Sequence, residues 1–348
     1  MKKLRWILFL SVLASLYSAC ETVVDVPLPE HESKLVINAR LETFFNRMFL
    51  SRSRARTDII TEAESMVEGA SCFLFENDQL IDSFKYTVQI DTNYNRDSSE
   101  FRIYDSRYYE LATPPWQAGN TYQIEVFHPD FPTARAETYM PHVPEILGID
   151  IEQNVAQGNE GLPLARVKLR FQDPPNEENY FNYLIQIKYS HPDSLQDTLD
   201  FVFAQFNTDG SLRAELEEFV DLSDILGQGS SFWGYFPYTS DEGKDGQIIE
   251  VEDLFYQPAP GYDGGFYNPQ NNQPGAPVPK YIIHSALVSI YCPSKDLFLY
   301  MSQYDLHRQN QGVNLSSLIG EPVILHSNVE NGYGIFGISN FAFYSFTF

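Results

Sequence analysis

The acidic residues between Asp241 and Glu252 have a spacing that could bind a metal ion. Asp241, Asp245 and Glu252 stand at positions one, five and twelve of a calcium-binding loop, and Gly246 stands where such loops need a sharp turn. Position three is Gly243, which offers no side-chain ligand, and the preceding Tyr-Thr-Ser is not typical of an entering helix. A polar turn between two strands is the alternative that these departures favour.

Cys20 is a candidate for covalent modification. A basic start and an apolar run over 6–16 precede it, and Ser-Ala comes directly before it. This order is typical of a secretory signal peptide, and a cysteine after the cut is the residue that receives acyl chains in lipoproteins. We therefore expect residues 1–19 to be removed and Cys20 to anchor the chain in a membrane. Because Tyr17 stands where Leu is usual, an ordinary secretory signal beside an unmodified cysteine is the alternative.

Ser194 and Thr198 are candidate O-glycosylation residues. They lie in Asp-Ser-Leu and Asp-Thr-Leu, which resemble a three-residue signal for sugar attachment in exported proteins. The motif is short enough to occur by chance.

Motifs of the common enzyme classes are absent from the sequence. It contains no His-Glu-x-x-His, Gly-x-Ser-x-Gly, Ser-x-x-Lys or phosphate-binding glycine loop, and its seven histidines are scattered. We therefore expect neither a cofactor nor catalysis. An unrecognised hydrolase stays the least favoured alternative, because catalytic groups can also assemble from distant residues.

The charge of the chain limits its partners. The formal net charge is −24 over 348 residues, which argues against nucleic acid and against an anionic membrane surface. The chain contains 22 Tyr and 26 Phe, and aromatic residues favour strands and binding surfaces.

Alternating apolar and polar residues predict a mostly β fold. For example, Tyr122, Ile124 and Val126 would lie on one face of a half-buried strand, and Asn77-Asp78 is a plausible hairpin turn.

We expect an extended tether over 20–33, then an immunoglobulin-like antiparallel β-sandwich over 34–142. A second β-rich domain over 143–348 would carry one or two short helices, at 211–226 and from Ser294 to about Gln309. Ser294 is a good N-cap for the latter helix, whose apolar stripe consists of Leu297, Tyr300, Met301 and Tyr304.

Cys72 and Cys292 lie in apolar strand-like runs and are expected to be buried, with a disulfide between them left open.

An insertion at about 228–280 combines many aromatic residues with Gly, Pro and Asn. Long loops of this kind are often functional, and exposed aromatic side chains suit a docking surface. The candidates for that surface are Trp233, Tyr235, Tyr262 and Tyr267. Local packing of these aromatic residues within a surface loop is the alternative.

Several segments together resemble one family, the Bacteroidota lipoproteins named domain of unknown function 4249. The segments are Val-Asp-Val-Pro-Leu-Pro-Glu after Cys20, 34–38, Phe-Gln-Asp-Pro-Pro-Asn-Glu-Glu-Asn-Tyr at 171–180, Glu-Pro-Val at 321–323, and Ser-Asn-Val-Glu-Asn-Gly-Tyr-Gly-Ile-Phe-Gly at 327–337. In the last segment Asn331-Gly332 is a good tight turn, and Gly334 and Gly337 would allow close approach of other backbone.

The resemblance implies an outer-membrane, surface-exposed lipoprotein whose partner is a TonB-dependent transporter. The expected function is that of a non-catalytic accessory subunit in nutrient uptake. A free-standing surface protein that binds glycan or protein, similar to an adhesin, is the alternative. The segment after Cys20 carries only a weak surface-export signal, so the resemblance implies the anchor more directly than the face of the membrane.

Overall fold

The computed structural model describes residues 31–43, 45–55, 62–95, 100–112, 116–157, 163–190, 198–202, 239–256, 282–311 and 324–348. Its contacts divide the chain into two units, residues 1–33 with 54–58, and residues 34–53 with 59–348. Every strand and helix named below lies in the second unit. The first unit contributes only 31–33 and 54–55 to the described residues.

Strands make up most of the described chain, so the prediction of a mostly β fold is confirmed. The strands are β1 Leu35–Glu42, β2 Arg47–Arg52, β3 Ser71–Glu76, β4 Gln79–Asn95, β5 Glu100–Glu110, β6 Thr121–His128, β7 Phe131–Tyr139, β8 Glu145–Gln157, β9 Pro163–Gln172, β10 Tyr180–Ser190, β11 Thr198–Val202, β12 Thr239–Ser240, β13 Ile248–Tyr256, β14 Ile282–Pro293, β15 Val329–Glu330 and β16 Gly332–Thr347. The helices are α1 Glu62–Ser65 and α2 Lys295–Gln311. The helix predicted at 211–226 lies outside the described residues.

Most of the strands belong to one large sheet. Its order is β11-β10-β14-β16-β1-β2-β5-β4-β3-β6-β7-β15, and β12 pairs with β10 beside this path. Strands β13, β9 and β8 form a second sheet. Among the described strands, the β1–β16 pair is parallel and every other pair is antiparallel.

The first core, which we call the N-terminal sandwich, lies between two parts of the large sheet, one with β16, β1, β2 and β5 and the other with β3, β6, β7 and β15. Strand β4 joins the two parts, because its first residues pair with β3 and its later residues pair with β5. Alternation works as predicted on β6, where Tyr122, Ile124 and Val126 all point into this core. Asn77 and Asp78 form the predicted hairpin turn with positive φ angles.

The second core, which we call the C-terminal sandwich, lies between the three-stranded sheet and the β10, β14 and β16 part of the large sheet. Phe171 of β9 meets Phe181 of β10 edge-on across it, with ring centroids 5.0 Å apart. Cys292 lies in this core and Cys72 in the other, and both are buried and free as small apolar side chains. Burial raises the pKa of the Cys72 thiol to about 12.

Strand β16 belongs to both sandwiches. Its residues from Gly332 to Ser339 pair with β1, and those from Ser339 to Thr347 pair with β14. The predicted boundary between residues 142 and 143 stays a prediction, and so does the immunoglobulin-like topology. A division by sequence would in any case assign all of β16 to the second domain, whereas half of the strand completes the first core.

Glycines at the start of β16 let neighbouring chain approach closely. A Cβ added to Gly334, whose φ is +104°, would lie 1.9 Å from the carbonyl oxygen of Ile37. A Cβ on Gly337 would lie 2.5 Å from the Cβ of Leu297 in α2. The close approaches predicted for these two glycines are therefore present, and they place β1 and α2 on β16.

Helix α2 begins one residue after the predicted start and packs through the predicted stripe. Leu297 and Met301 form a small core with Ile335 of β16, and Tyr300 packs against it. The backbone oxygen of Ser294 accepts the first helical hydrogen bond from Phe298, as expected at the start of a helix. The Ser294 hydroxyl is buried and makes no hydrogen bond with the described residues, so it does not act as the predicted cap.

Candidate functional site

Two segments far apart in the sequence meet at one end of the C-terminal sandwich. The first, which we call the proline loop, comprises residues 173–179 between β9 and β10, and it contains the Asp-Pro-Pro sequence. The second, which we call the acidic turn, comprises residues 241–247 between β12 and β13. Because β13 pairs with β9 and β12 with β10, the sheet register brings the two segments together.

Backbone hydrogen bonds shape the acidic turn. Lys244 N donates to Asp241 O at 2.6 Å, and Gln247 N donates to Lys244 O at 2.8 Å. Gly246 has a φ of +66°, and a Cβ on it would lie 3.0 Å from the Cβ of Pro175. Glycine therefore serves both the turn and its close packing on the proline loop.

Reciprocal contacts tie the proline loop to the acidic turn. The amide of Gly246 donates to Asp173 Oδ2 at 2.8 Å, and the amide of Asn176 donates to Asp245 Oδ1 at 2.7 Å. Asp173 N also donates to Gln247 O at 3.0 Å. Each segment thus offers a carboxylate to a backbone amide of the other.

Three carboxylates converge at this junction, and we call them the aspartate cluster: Asp173, Asp241 and Asp245. One oxygen from each lies within 4.8 Å of the others. Asp173 is 0 % exposed and Asp241 is 5 % exposed, whereas Asp245 is open to solvent. Burial raises the pKa of Asp173 to about 6, and its carboxylate neighbours add to this rise. Burial also raises the pKa of Asp241.

Several buried oxygens at the junction accept no hydrogen bond from the described residues. They are Asp173 Oδ1, Glu177 Oε2 and Asn179 Oδ1. Both Asp173 and Asn179 are fully buried. A buried oxygen without a donor costs about 1–3 kcal/mol, and more when it is charged. The cluster is therefore a place where a proton or a bound cation would lower the free energy.

The proline loop also contacts the rest of the second unit. Glu177 accepts a hydrogen bond from His142 Nδ1 at 3.0 Å, and His142 lies in the link between β7 and β8. Glu178 pairs with Lys295 of α2 at 2.6 Å, and this pairing lowers the pKa of Glu178. The ring of Tyr180 stacks on Phe298 of α2 with centroids 3.9 Å apart. The loop is thus a meeting point of the C-terminal sandwich, α2 and the link.

The structure brings together only part of the predicted calcium loop. Asp241 and Asp245 are neighbours in the aspartate cluster, as their spacing predicts. Glu252 is not a neighbour, because β13 already begins at Ile248 and places Glu252 opposite Lys168. Its carboxylate pairs there with Arg166 at 2.8 Å and Lys168 at 3.0 Å. The segment is therefore a turn between β12 and β13 and not a twelve-residue loop, and its two aspartates meet Asp173 of the proline loop in place of Glu252.

Sequence reasoning missed Asp173 as a member of the cluster. Asp173 is 68 positions before Asp241, so no local spacing connects them. The one signal that the sequence offers is its place directly before two prolines. That signal marks a fixed loop but does not say which other loop it meets.

The remaining predicted site residues can be placed only in part. Thr198 begins β11. Cys20, Ser194, Trp233, Tyr235, Tyr262 and Tyr267 lie outside the described residues. Lipidation, glycosylation and the aromatic docking surface therefore stay predictions.

The fold and the cluster define a mostly β protein of two sandwiches joined by a shared strand. A family profile described as domain of unknown function (DUF4249) matches residues 21–344, and the chain belongs to this family. A comparison with curated proteins found no match. Neither of the two helices in the described part of the chain combines the length and the hydropathy that a membrane-spanning helix needs.

Proposed function

We propose that the chain is a lipid-anchored outer-membrane protein, exposed on the cell surface, that acts as a non-catalytic accessory subunit of a TonB-dependent nutrient transporter. The observation that carries the proposal is Cys20, placed directly after a basic start, a short apolar run and small residues. Membership of the family supports it, because the resemblance implies an anchored partner of such a transporter.

The distance from Cys20 to the first strand fits a role close to the membrane. β1 begins at Leu35, so about 15 residues separate the anchor from the folded body. A chain of that length spans at most about 50 Å when fully extended. The body therefore stays near the bilayer, where a membrane-embedded partner would lie.

The arrangement of the C-terminal strand supports a binding role. β16 is held by β1 on one side and β14 on the other, and the two sandwiches share it. Such a scaffold can hold loops in fixed positions, and binding residues are commonly found on loops carried by a rigid framework. Cargo and partner are then recognised by loops, without a requirement for reacting groups.

The anchor is tested first, in the native host. We expect the wild-type chain in the membrane fraction with incorporated acyl label, and the Cys20→Ser chain released from it without label. Equal membrane retention and no label on the wild type would contradict lipidation. Protease treatment of intact cells shows on which face of the outer membrane the chain lies, and we expect the anchored chain to be degraded.

The partner is tested by purification through a C-terminal tag in mild detergent. We expect a TonB-dependent barrel at about one copy per chain, with the Cys20→Ser chain as the matched control that recovers much less. If no barrel is recovered while the chain itself binds glycan or protein, the free-standing binder is the better description. Turnover of a hydrolase substrate by the purified chain would overturn the non-catalytic role.

A further inference from the structure

Among the described residues, no positive charge balances the carboxylates of the aspartate cluster. Within the described residues, none of Asp173, Asp241 and Asp245 forms an ion pair with Lys, Arg or His. Elsewhere in the structure such pairs are formed, for example between Glu252 and Lys168. Two of the three aspartates are buried, and burial of unpaired like charges is costly.

Backbone amides bind one oxygen of two of these carboxylates, and a second, buried oxygen of Asp173 has no donor among the described residues. Asp173 Oδ2 and Asp245 Oδ1 each accept a hydrogen bond from an amide of the opposite segment. Asp173 Oδ1 is buried and accepts none from the described residues. Asn179 is fully buried. Its Nδ2 donates to the backbone oxygens of Pro174 and Glu177, while its Oδ1 accepts no hydrogen bond from the described residues.

We propose that the junction of the proline loop and the acidic turn is a Ca²⁺ site, with Asp173, Asp241 and Asp245 as ligands. The donors are all oxygens, which are the ligands that hard divalent cations take. Calcium takes six to eight oxygens at about 2.3–2.6 Å, so ligands on opposite sides of the ion lie about 5 Å apart. The three carboxylate oxygens, within 4.8 Å of one another, fit around such an ion.

The exposed side of the cluster also favours calcium over magnesium. Asp245 is open to solvent, so water can complete an irregular coordination shell there. Magnesium requires nearly octahedral geometry at about 2.0–2.1 Å and gives up its water reluctantly. Two carboxylates held in place by backbone amides are poorly suited to the short distances and octahedral geometry of magnesium.

Calcium at this place would join segments that are distant in sequence. The ion would link the proline loop to the acidic turn, and the proline loop already contacts His142 and Lys295. Because the unfolded chain does not bring the three aspartates together, binding would stabilise the folded state. The site is independent of the lipid anchor, so failure of one proposal does not affect the other.

The test uses the full chain purified in detergent and freed of metal by a chelator. Calorimetric titration with CaCl₂ is expected to show one ion per chain. Saturating Ca²⁺ is expected to raise the unfolding temperature by roughly 3 °C or more. MgCl₂ at the same concentration is expected to give a clearly smaller rise.

Matched variants locate the site. Asp245→Asn removes the negative charge of an exposed ligand while keeping a side-chain oxygen, and it is expected to weaken Ca²⁺ binding at least about tenfold, since ligand charge tunes affinity in oxygen sites. Glu242→Gln removes an exposed acid from the same turn that is outside the cluster, and binding is expected to change less than about threefold. Asp173→Asn is expected to lose the calcium-dependent rise, while unfolding in chelator at a temperature equal to or above that of the wild type.

The outcomes that overturn the proposal are equally definite. Absence of both heat and a temperature rise in the wild type ends it. Unchanged affinity in Asp245→Asn, or equal weakening in Glu242→Gln, would show that binding is diffuse attraction to a negative surface. Magnesium binding as tightly as calcium would overturn the assignment of the ion.

Discussion

At the scale of single residues, Gly334 is where the absence of a side chain decides the packing. Its φ of +104° lies in the region that favours glycine, and the space where a Cβ would stand is occupied by the carbonyl of Ile37. The parallel register between β1 and β16 pairs these same two residues. Any larger residue would therefore have to separate the two strands at the centre of the N-terminal sandwich.

Gly334→Ala is expected to lower the free energy of unfolding by about 3 kcal/mol or more, because strain and overpacking add together. Gly69→Ala is the matched control. Gly69 also has a positive φ, of +75°, but a Cβ there meets nothing within 4 Å, so its cost should be about 1 kcal/mol. Urea unfolding of both variants measures the difference, and equal losses would contradict the role of the Ile37 carbonyl.

Glu42, at the end of β1, is a second residue with a measurable consequence. Burial raises the pKa of its carboxyl to about 7 from an ordinary value of 4.5, although Arg40 opposes the rise. In the unfolded chain the group ionises near 4.5, so ionisation is less favourable in the folded state. Its contribution to stability is therefore greatest below pH 4.5 and is lost as the pH rises towards 7 and beyond.

Glu42→Gln is expected to prevent the loss of stability that ionisation of Glu42 causes at high pH. One pKa unit corresponds to about 1.4 kcal/mol, so the variant should be more stable than the wild type by roughly 2–3 kcal/mol at pH 8. Near pH 4 the gain should disappear. Denaturant unfolding at the two pH values measures it, with the exposed Glu330→Gln as a control that should change little at either. A gain that is the same at pH 4 and pH 8 would refute the explanation.

At the scale of elements, the start of β16 is secured by one side-chain amide. Asn328 Nδ2 donates to Phe336 O at 2.8 Å and to Glu137 O at 2.9 Å, and Asn328 Oδ1 accepts from Phe336 N at 3.0 Å. The side chain thus replaces a peptide group of a neighbouring strand. It connects β16 to β7 beside the turn at Asn331.

Asn328→Ala would leave the backbone donor and acceptor of Phe336 without this partner, at an expected cost of about 2–4 kcal/mol. Asn328→Asp keeps the shape but loses both donations, so it should be about as costly at neutral pH. Urea unfolding gives the energies, and hydrogen exchange at the Phe336 amide should accelerate in both variants. Ser327→Ala, next to it on an exposed position, should change stability by less than about 0.5 kcal/mol. Unchanged hydrogen exchange at the Phe336 amide in Asn328→Ala would contradict the role of the Asn328 side chain as the partner of this peptide group.

Local patterns predicted individual elements well but did not predict their partners. Alternation identified β6 with its inward Tyr122, and the stripe through Leu297 identified α2, because each pattern records which side of an element is buried. The parallel partner of β1 lies nearly the whole chain away, and the change of partner along β4 follows from pairing with distant strands. For the same reason the proximity of Asp241 and Asp245 could be predicted from their spacing, while the position of Asp173 beside them could not.

At the scale of the whole second unit, β16 links two cores that would otherwise be separate. Its first half buries Phe336 and Ile338 in the N-terminal sandwich, and its second half packs Tyr344 and Phe346 against the C-terminal sandwich. Neighbouring contacts reinforce this link, since Asn340 donates to Pro141 O and Tyr344 donates to Pro144 O, both at 2.8 Å. Loss of either core would remove the support of one half of the strand.

This sharing predicts that the two sandwiches unfold together. Leu74→Ala in the N-terminal core and Ile249→Ala in the C-terminal core each remove a buried side chain away from β16, at about 2–4 kcal/mol. In differential scanning calorimetry at one calcium concentration, both variants should lower the temperature of the same single transition. The wild type should also show one transition, because opening either core leaves β16 unsupported in the other. Two separate transitions, each lowered by only one of the variants, would mean that β16 connects the sandwiches without coupling their stability.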